Sequence, residues 1–138
     1  MADVTRTAAN VRFGTNANRA LRRKSGEAFS IGMPLYIKAS DGLLYKFDAN
    51  ASLETGTLAG WAGQTVDSAG IEVDVITEDD DFTPGFTMTK NGVYVPSATA
   101  GGIAPVADVT TGWYGAWGIF AKSTSKAKLF TFNSGVAV

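Results

Sequence analysis

Neither cysteine nor histidine occurs anywhere in this 138-residue chain. Their absence excludes disulfides, Cys or mixed Cys/His zinc sites, thiol nucleophiles and every Ser-His-Asp or Cys-His arrangement, and with them much of hydrolytic and redox chemistry. No apolar run approaches the ~18 residues of a membrane-spanning helix. The first residues do not read as a basic-then-apolar leader, so the expectation is a soluble protein made in the cytoplasm, with no membrane partner. Methionine is scarce, at three residues.

Glycine is plentiful, at 16 residues, and Val, Thr, Phe, Tyr and Trp accompany it, which favours short strands and frequent turns over helices. With 45% hydrophobic and 18% charged residues, the chain is long enough for one compact core and too short for two. The expected fold is all-β: a small barrel or sandwich of about eight short antiparallel strands, preceded by an extended N-terminal arm.

The arm is suggested by charge. Net charge is −1, yet up to Gly26 six basic residues face Asp3 alone, whereas the remainder carries six lysines against twelve acids. Such asymmetry suits a basic segment that docks on an acidic partner. Residues 1–26 hold Val11, Phe13 and Leu21 as their only large apolar residues after the start, too few to pack a core unaided. Asn18 is placed to cap a short helix from Arg19 to Lys24, ending at Gly26, with Arg19, Arg22 and Arg23 near one face. Arg6 and Arg12 complete the candidate binding set. The competing reading is a frayed, solvated tail.

From Glu27 the pattern changes to period two, opening the 27–138 β-domain. Leu35–Lys38 and Leu43–Phe47 flank Ala39-Ser-Asp-Gly42, a hairpin with Asp-Gly turn chemistry. TLAGWAGQTV, Thr57 to Val66, spaces glycines around Trp61 as a strand does where another backbone comes close. Gly60 and Gly63 with Trp61 are therefore candidate subunit contacts, the tryptophan serving as a buried anchor. Ile71, Val73 and Val75 alternate with Glu72 and Asp74 as a half-buried strand. Asn91-Gly92, between Phe86–Met88 and Val93–Val95, is a hairpin signal of the type I′ kind. The small residues Pro96, Ser97, Ala98, Thr99, Ala100, Gly101 and Gly102 neither extend a strand well nor bury much area, so they form a candidate contact loop. Trp113–Phe120 reads as a central strand, Lys126–Phe132 as the last, and Ser134–Val138 as a tail.

In this order of pieces, GEAFSIGMPLYIKASDGLLYKFDA (Gly26–Ala49), TLAGWAGQTVDSAGIEVDVIT (Thr57–Thr77) and TPGFTMTKNGVYVPSATAGGIAPVADVTTGWYGAWGIFAKST (Thr83–Thr124), the chain resembles the small capsid decoration, or cement, proteins of tailed bacteriophages. WYGAW, Trp113–Trp117, and EDDD, Glu78–Asp81, have no counterpart in that pattern. The resemblance implies a virion protein, synthesised in the host cytoplasm and seated on the outer capsid surface between subunits of the major capsid protein. It also implies a homotrimer with no enzymatic activity and no cofactor. On this reading the loop from Pro96 to Gly102 lies against a neighbouring copy or the shell.

Two alternatives come from the residues. Glu78-Asp-Asp-Asp81 offers oxygen ligands but lacks the alternation and glycine of a calcium loop, so it reads as a solvated acidic turn and no metal is expected. Four consecutive acids cannot all face one glycosidic bond. Tyr36, Tyr45, Phe47, Trp61, Trp113 and Trp117 on an OB-like barrel would suit single-stranded nucleic acid. The acidic body argues against it, since a binding groove needs positive charge along its length.

Overall fold

The computed structural model describes residues 3–138 and is all-β, with nine strands and two single-turn 3-10 helices, Ala8–Asn10 and Val106–Asp108. The strands are β1 (Asn18–Lys24), β2 (Pro34–Ile37), β3 (Leu44–Lys46), β4 (Gly60–Ala62), β5 (Glu72–Phe82), β6 (Val93–Pro96), β7 (Ile103–Pro105), β8 (Tyr114–Ala121) and β9 (Ala127–Ala137). They form one antiparallel sheet in the order β3-β2-β4-β5-β9-β8-β6-β7, with β1 also paired to β5, curled into a half-barrel.

The β2–β3 hairpin forms as its alternation predicts, pairing Leu35 with Lys46, Tyr36 with Tyr45 and Ile37 with Leu44. Its turn is stabilised by Asp41, whose Oδ1 accepts the Leu43 N–H at 3.0 Å while Oδ2 accepts the Tyr45 hydroxyl at 2.7 Å. In the middle of the sheet, β4 and the Val75–Ile76 step of β5 are buried on both faces, and they divide the apolar side chains into two cores. Trp61 and Ile76, register partners, join the larger core with Phe47, Phe82, Ile103, Ile119 and Leu129. Ala62 and Val75, the next pair, join a second core with Phe29, Leu35, Leu44 and Val73.

Several expectations are corrected. Residues Asn18–Lys24 form a strand and no helix: β1 runs antiparallel to β5, Leu21 opposite Val75 and Lys24 opposite Glu72. Sheet pairing of seven residues overrides their helical propensity, which is worth only tenths of a kcal/mol each. Glu78–Asp81 lies inside the 11-residue β5 and is no turn. Ile71 precedes β5 and is exposed, although Val73 and Val75 point inward as expected. Asn91 does adopt a positive φ of 67°. The turn there is closed by Gly92 N–H to the Thr89 carbonyl at 2.9 Å, and the preceding Phe86–Met88 is not a strand, so no type I′ hairpin results. Finally β9 continues through Ser134 and Gly135 to Ala137, where a tail was expected.

The boundary at residue 26 does not separate an arm from a domain. Val11 is 1% exposed in the main core, Phe13 stacks on Phe82 at 5.1 Å between ring centroids, and Leu21 packs on the second core. Backbone bonds tie this stretch along its length, from Val4 N–H to Ile103 O, Thr7 N–H to Gly85 O, and reciprocally between Arg12 and Thr83. Three apolar residues are too few to make a core, but they suffice to complete one.

Candidate interaction surfaces

The five arginines of the first 26 positions fall into three groups. Arg19 and Arg22 are paired within the chain: the Arg22 Nη1 lies 2.6 Å from Asp74 Oδ1 and its Nε 3.6 Å from Glu72, while Arg19 Nη1 is 3.7 Å from Asp74 Oδ2. Gln64 also donates to Asp74 Oδ2 at 2.9 Å, and this bond, helped by the arginines against partial burial, holds the Asp74 carboxyl below its usual range. Arg12 and Arg23 are exposed and meet only carbonyl oxygens, of Ala9 and Val11 and of Gly42 respectively. Arg6 stands apart. Burial lowers its guanidinium to about 10, with Asp3 opposing the shift; its Nη2 donates to Gly101 O at 3.3 Å and its Nη1 has no partner among the described residues.

Of the candidate subunit contacts, Gly60 and Trp61 are buried within their own chain and Gly63 is partly exposed. Trp61 is fully buried in its own chain, and its Nε1 donates to Phe130 O at 3.2 Å. The glycines do mark close approach, as expected, but to the same chain: Cβ atoms at Gly60 and Gly63 would meet the carbonyl oxygens of Ile76 and Asp74, each at 2.8 Å. A side chain with no accessible surface in the isolated subunit has none to offer another.

The small-residue loop is also occupied from within. Pro96, Ser97 and Gly101 are buried and Gly102 is partly so; Ser97 O accepts the Ala49 N–H, and Gly101 N–H donates to Phe47 O, both at 2.9 Å. A Cβ on Gly101 would meet Met33 Sδ at 2.8 Å, and one on Gly102 would clash with the Asp3 carboxylate. Bulk is forbidden here because residues 3–6 and the β2–β3 region press on the loop. The most open part is its tip, Ala98 to Ala100, with Thr99 and Ala100 exposed.

The acidic run lines a recess of about 200 Å³ with Gly14, Thr15, Asn16 and Asn18. Its chemistry is consumed locally. Asp79, 2% exposed, accepts Gly14 N–H at 2.8 Å on Oδ2 and Asp81 N–H at 3.0 Å on Oδ1. Asp80 pairs with Lys128 at 2.9 Å and Asp81 with Lys126 at 3.2 Å. The Lys128 ammonium lowers the Asp80 carboxyl, and Asp80 raises Lys128 in return. Among the described residues no group of three or more acids is arranged to hold a metal ion.

Of the aromatics considered for base stacking, Tyr36 and Tyr45 sit together across the β2–β3 hairpin, their ring centroids 5.9 Å apart and the Lys38 ammonium 5.1 Å from the Tyr45 ring, but the rest do not extend that surface. Phe47 and Trp61 are fully buried, Tyr36 is 8% exposed, and Trp113 packs against the main core. Trp117 alone of the tryptophans stands out, 42% exposed on the outer face of β8. Directly across from it is Phe132, 54% exposed, and one step along the ribbon Phe120, 39% exposed, faces Lys128. The signal for this face was present in Lys128-Leu-Phe-Thr-Phe132: Phe130 and Phe132 keep the phase of the charged Lys128, and so fall on the outer side of a strand.

No protein-family model, no curated protein and no solved structure matches this chain.

Proposed function

We propose that this chain is a capsid decoration protein of a tailed bacteriophage: a non-enzymatic component that binds outside the head, between major capsid protein subunits, and stabilises the shell as a homotrimer. The observation that carries this reading is the ordered resemblance from Gly26 to Thr124. A second feature agrees with it. The interior of the half-barrel is filled by the chain's own side chains, from Phe47 to Leu129, so the chain's capacity to interact lies on its outside.

Of the arginines first assigned to capsid binding, Arg12 and Arg23 are the ones to meet an acidic shell surface, since Arg19 and Arg22 already have carboxylates and Arg6 is enclosed. Exposed charge contacts contribute ~0.2–1 kcal/mol each and weaken with salt. Co-sedimentation with phage capsids lacking the protein tests the proposal directly. Binding that weakens as salt rises, and weakens further in Arg12→Glu/Arg23→Glu, is the expected result, together with heat resistance of decorated particles. Absence of co-sedimentation at low salt would sink it, and retention by single-stranded DNA instead would favour the nucleic-acid reading.

A further inference from the structure

The outer face of the β8–β9 ribbon is where the fold leaves apolar surface uncovered: Trp117 beside Phe132, with Phe120, Phe130 and Val136 along the same two strands. At exposures of 42%, 39% and 54% for Trp117, Phe120 and Phe132, rings of ~150–250 Å² each present roughly 300 Å². A stable interface takes ~800 Å² per partner, of which a little over half is apolar, about 450 Å². The three rings therefore supply about two thirds of the apolar area of one interface and reach the lower end of the largest patches on monomeric proteins, which are often functional.

Charge narrows the occupant. The three lysines at the β8–β9 turn end are already engaged within the chain, Lys128 with Asp80, Lys126 with Asp81, and Lys122 with the Asp80 carbonyl. They leave no row of free cations to follow a phosphate backbone or an acidic segment. A neutral aromatic stripe is best matched by a surface equally neutral and aromatic, and identical chains supply one by symmetry. A stripe lying along a rotation axis meets itself in two copies or in three.

We infer that the β8–β9 outer face, centred on Trp117 and Phe132, is the surface through which copies of this chain associate. This rests on the reading that the protein works as an assembly, but the assembly can be measured without capsids. Sedimentation equilibrium of the full chain at micromolar concentration should give a mass above the 14.4 kDa monomer. The double variant Trp117→Ser/Phe132→Ser should shift to monomer, at least a hundredfold weaker in self-association, with an unchanged far-UV circular dichroism spectrum. Because the chain contains no cysteine, Phe132→Cys, which leaves Trp117 and Phe120 in place, provides a second readout that covalent trapping makes sensitive to weakened association: oxidation should link it between copies, while Thr110→Cys, exposed and off the ribbon, should stay unlinked. A monomeric wild-type protein, a double variant that still assembles, or equal linking at both positions overturns the inference. The two readings separate cleanly, since monomers that still decorate capsids would refute this one alone, and assemblies that ignore capsids would refute the decoration reading alone.

Discussion

Substituting Gly118 by alanine probes the tightest packing in the molecule. Gly118 lies on β8 where the indole of Trp61 packs against the strand; an added methyl would lie 2.8 Å from Cη2 and 3.0 Å from Cε2, and closer still to Cζ2. Carbon atoms prefer ~3.5–4.0 Å, so something must move. Trp61 has little freedom, being fully buried with its Nε1 bonded to Phe130 O. Overpacking of this kind costs about 1–3 kcal/mol, and a retreat that orphans the indole N–H adds about 1–3. The sum, roughly 2–6 kcal/mol, is a large part of a typical domain stability of ~5–15 kcal/mol. Trp61→Phe removes the outer ring and should itself destabilise by opening a cavity. In its presence Gly118→Ala should cost much less, so the double-mutant cycle should show a favourable coupling of about 1 kcal/mol or more. Urea titration followed by circular dichroism reads all four corners. A Gly118→Ala midpoint equal to wild type, or additive single effects, would refute the packing argument.

Arg6→Met should be neutral or stabilising in urea titration, because it replaces an enclosed guanidinium with one nitrogen unpartnered by an apolar chain of similar length; a loss above about 2 kcal/mol would show that the Gly101 and Asp3 contacts outweigh burial. Asp74 has a depressed folded pKa, so its contribution is fully present above the unfolded value near 3.9 and is lost as pH falls through the lower folded value. Stability should therefore decline below about pH 4, and Asp74→Asn should flatten that acid limb, visible as a smaller drop in urea midpoint between neutral and acidic buffer. Deleting residues 1–24 should leave an unfolded or aggregating chain, since it removes Val11, Phe13 and the whole of β1; a truncated protein with native circular dichroism would restore the separable arm.

The parts legible from sequence are those where local pattern and tertiary pairing agree. Leu35 to Phe47 alternates and carries Asp-Gly at its turn, and the hairpin forms there; Val73 and Val75 are in phase and buried. Where the two disagree, pairing wins. Asn18–Lys24 is rich in Ala, Leu, Arg and Lys, good helix formers, yet it completes β5. Glu78–Asp81 looks hostile to a strand, and becomes one because Asp79 bonds Gly14 and Asp81 backbone groups while lysines of β9 and its turn balance Asp80 and Asp81. Trp61 was visible as an anchor; that it anchors its own barrel depends on Gly118, 57 positions away, which no local window connects to it.

The charge asymmetry that first marked the N-terminus takes a different meaning in the fold. A basic segment and an acidic body can imply an external acidic partner, or they can be two halves of one contact. Here the register decides for most of it: Arg22 faces Asp74 and Lys24 faces Glu72 across the β1–β5 ladder, and Arg19 reaches Asp74 from two register pairs further on. Each such exposed pair contributes only ~0.2–1 kcal/mol, but a register slipped by one residue would move Arg22 and Lys24 opposite apolar residues of β5 and turn Leu21 away from the second core. The arginines of β1 thus select the strand's partner and alignment, while burial of Leu21 and Val11 supplies most of the stabilisation. Of the N-terminal arginines, Arg12 and Arg23 meet no carboxylate and stay open to an external surface, while Trp117, Phe120 and Phe132 offer exposed aromatic area. These two features differ in salt response, because screening weakens the first and leaves the second largely intact. Contacts that persist at high salt should therefore be made through the β8–β9 face, and those that fade should be made through the arginines.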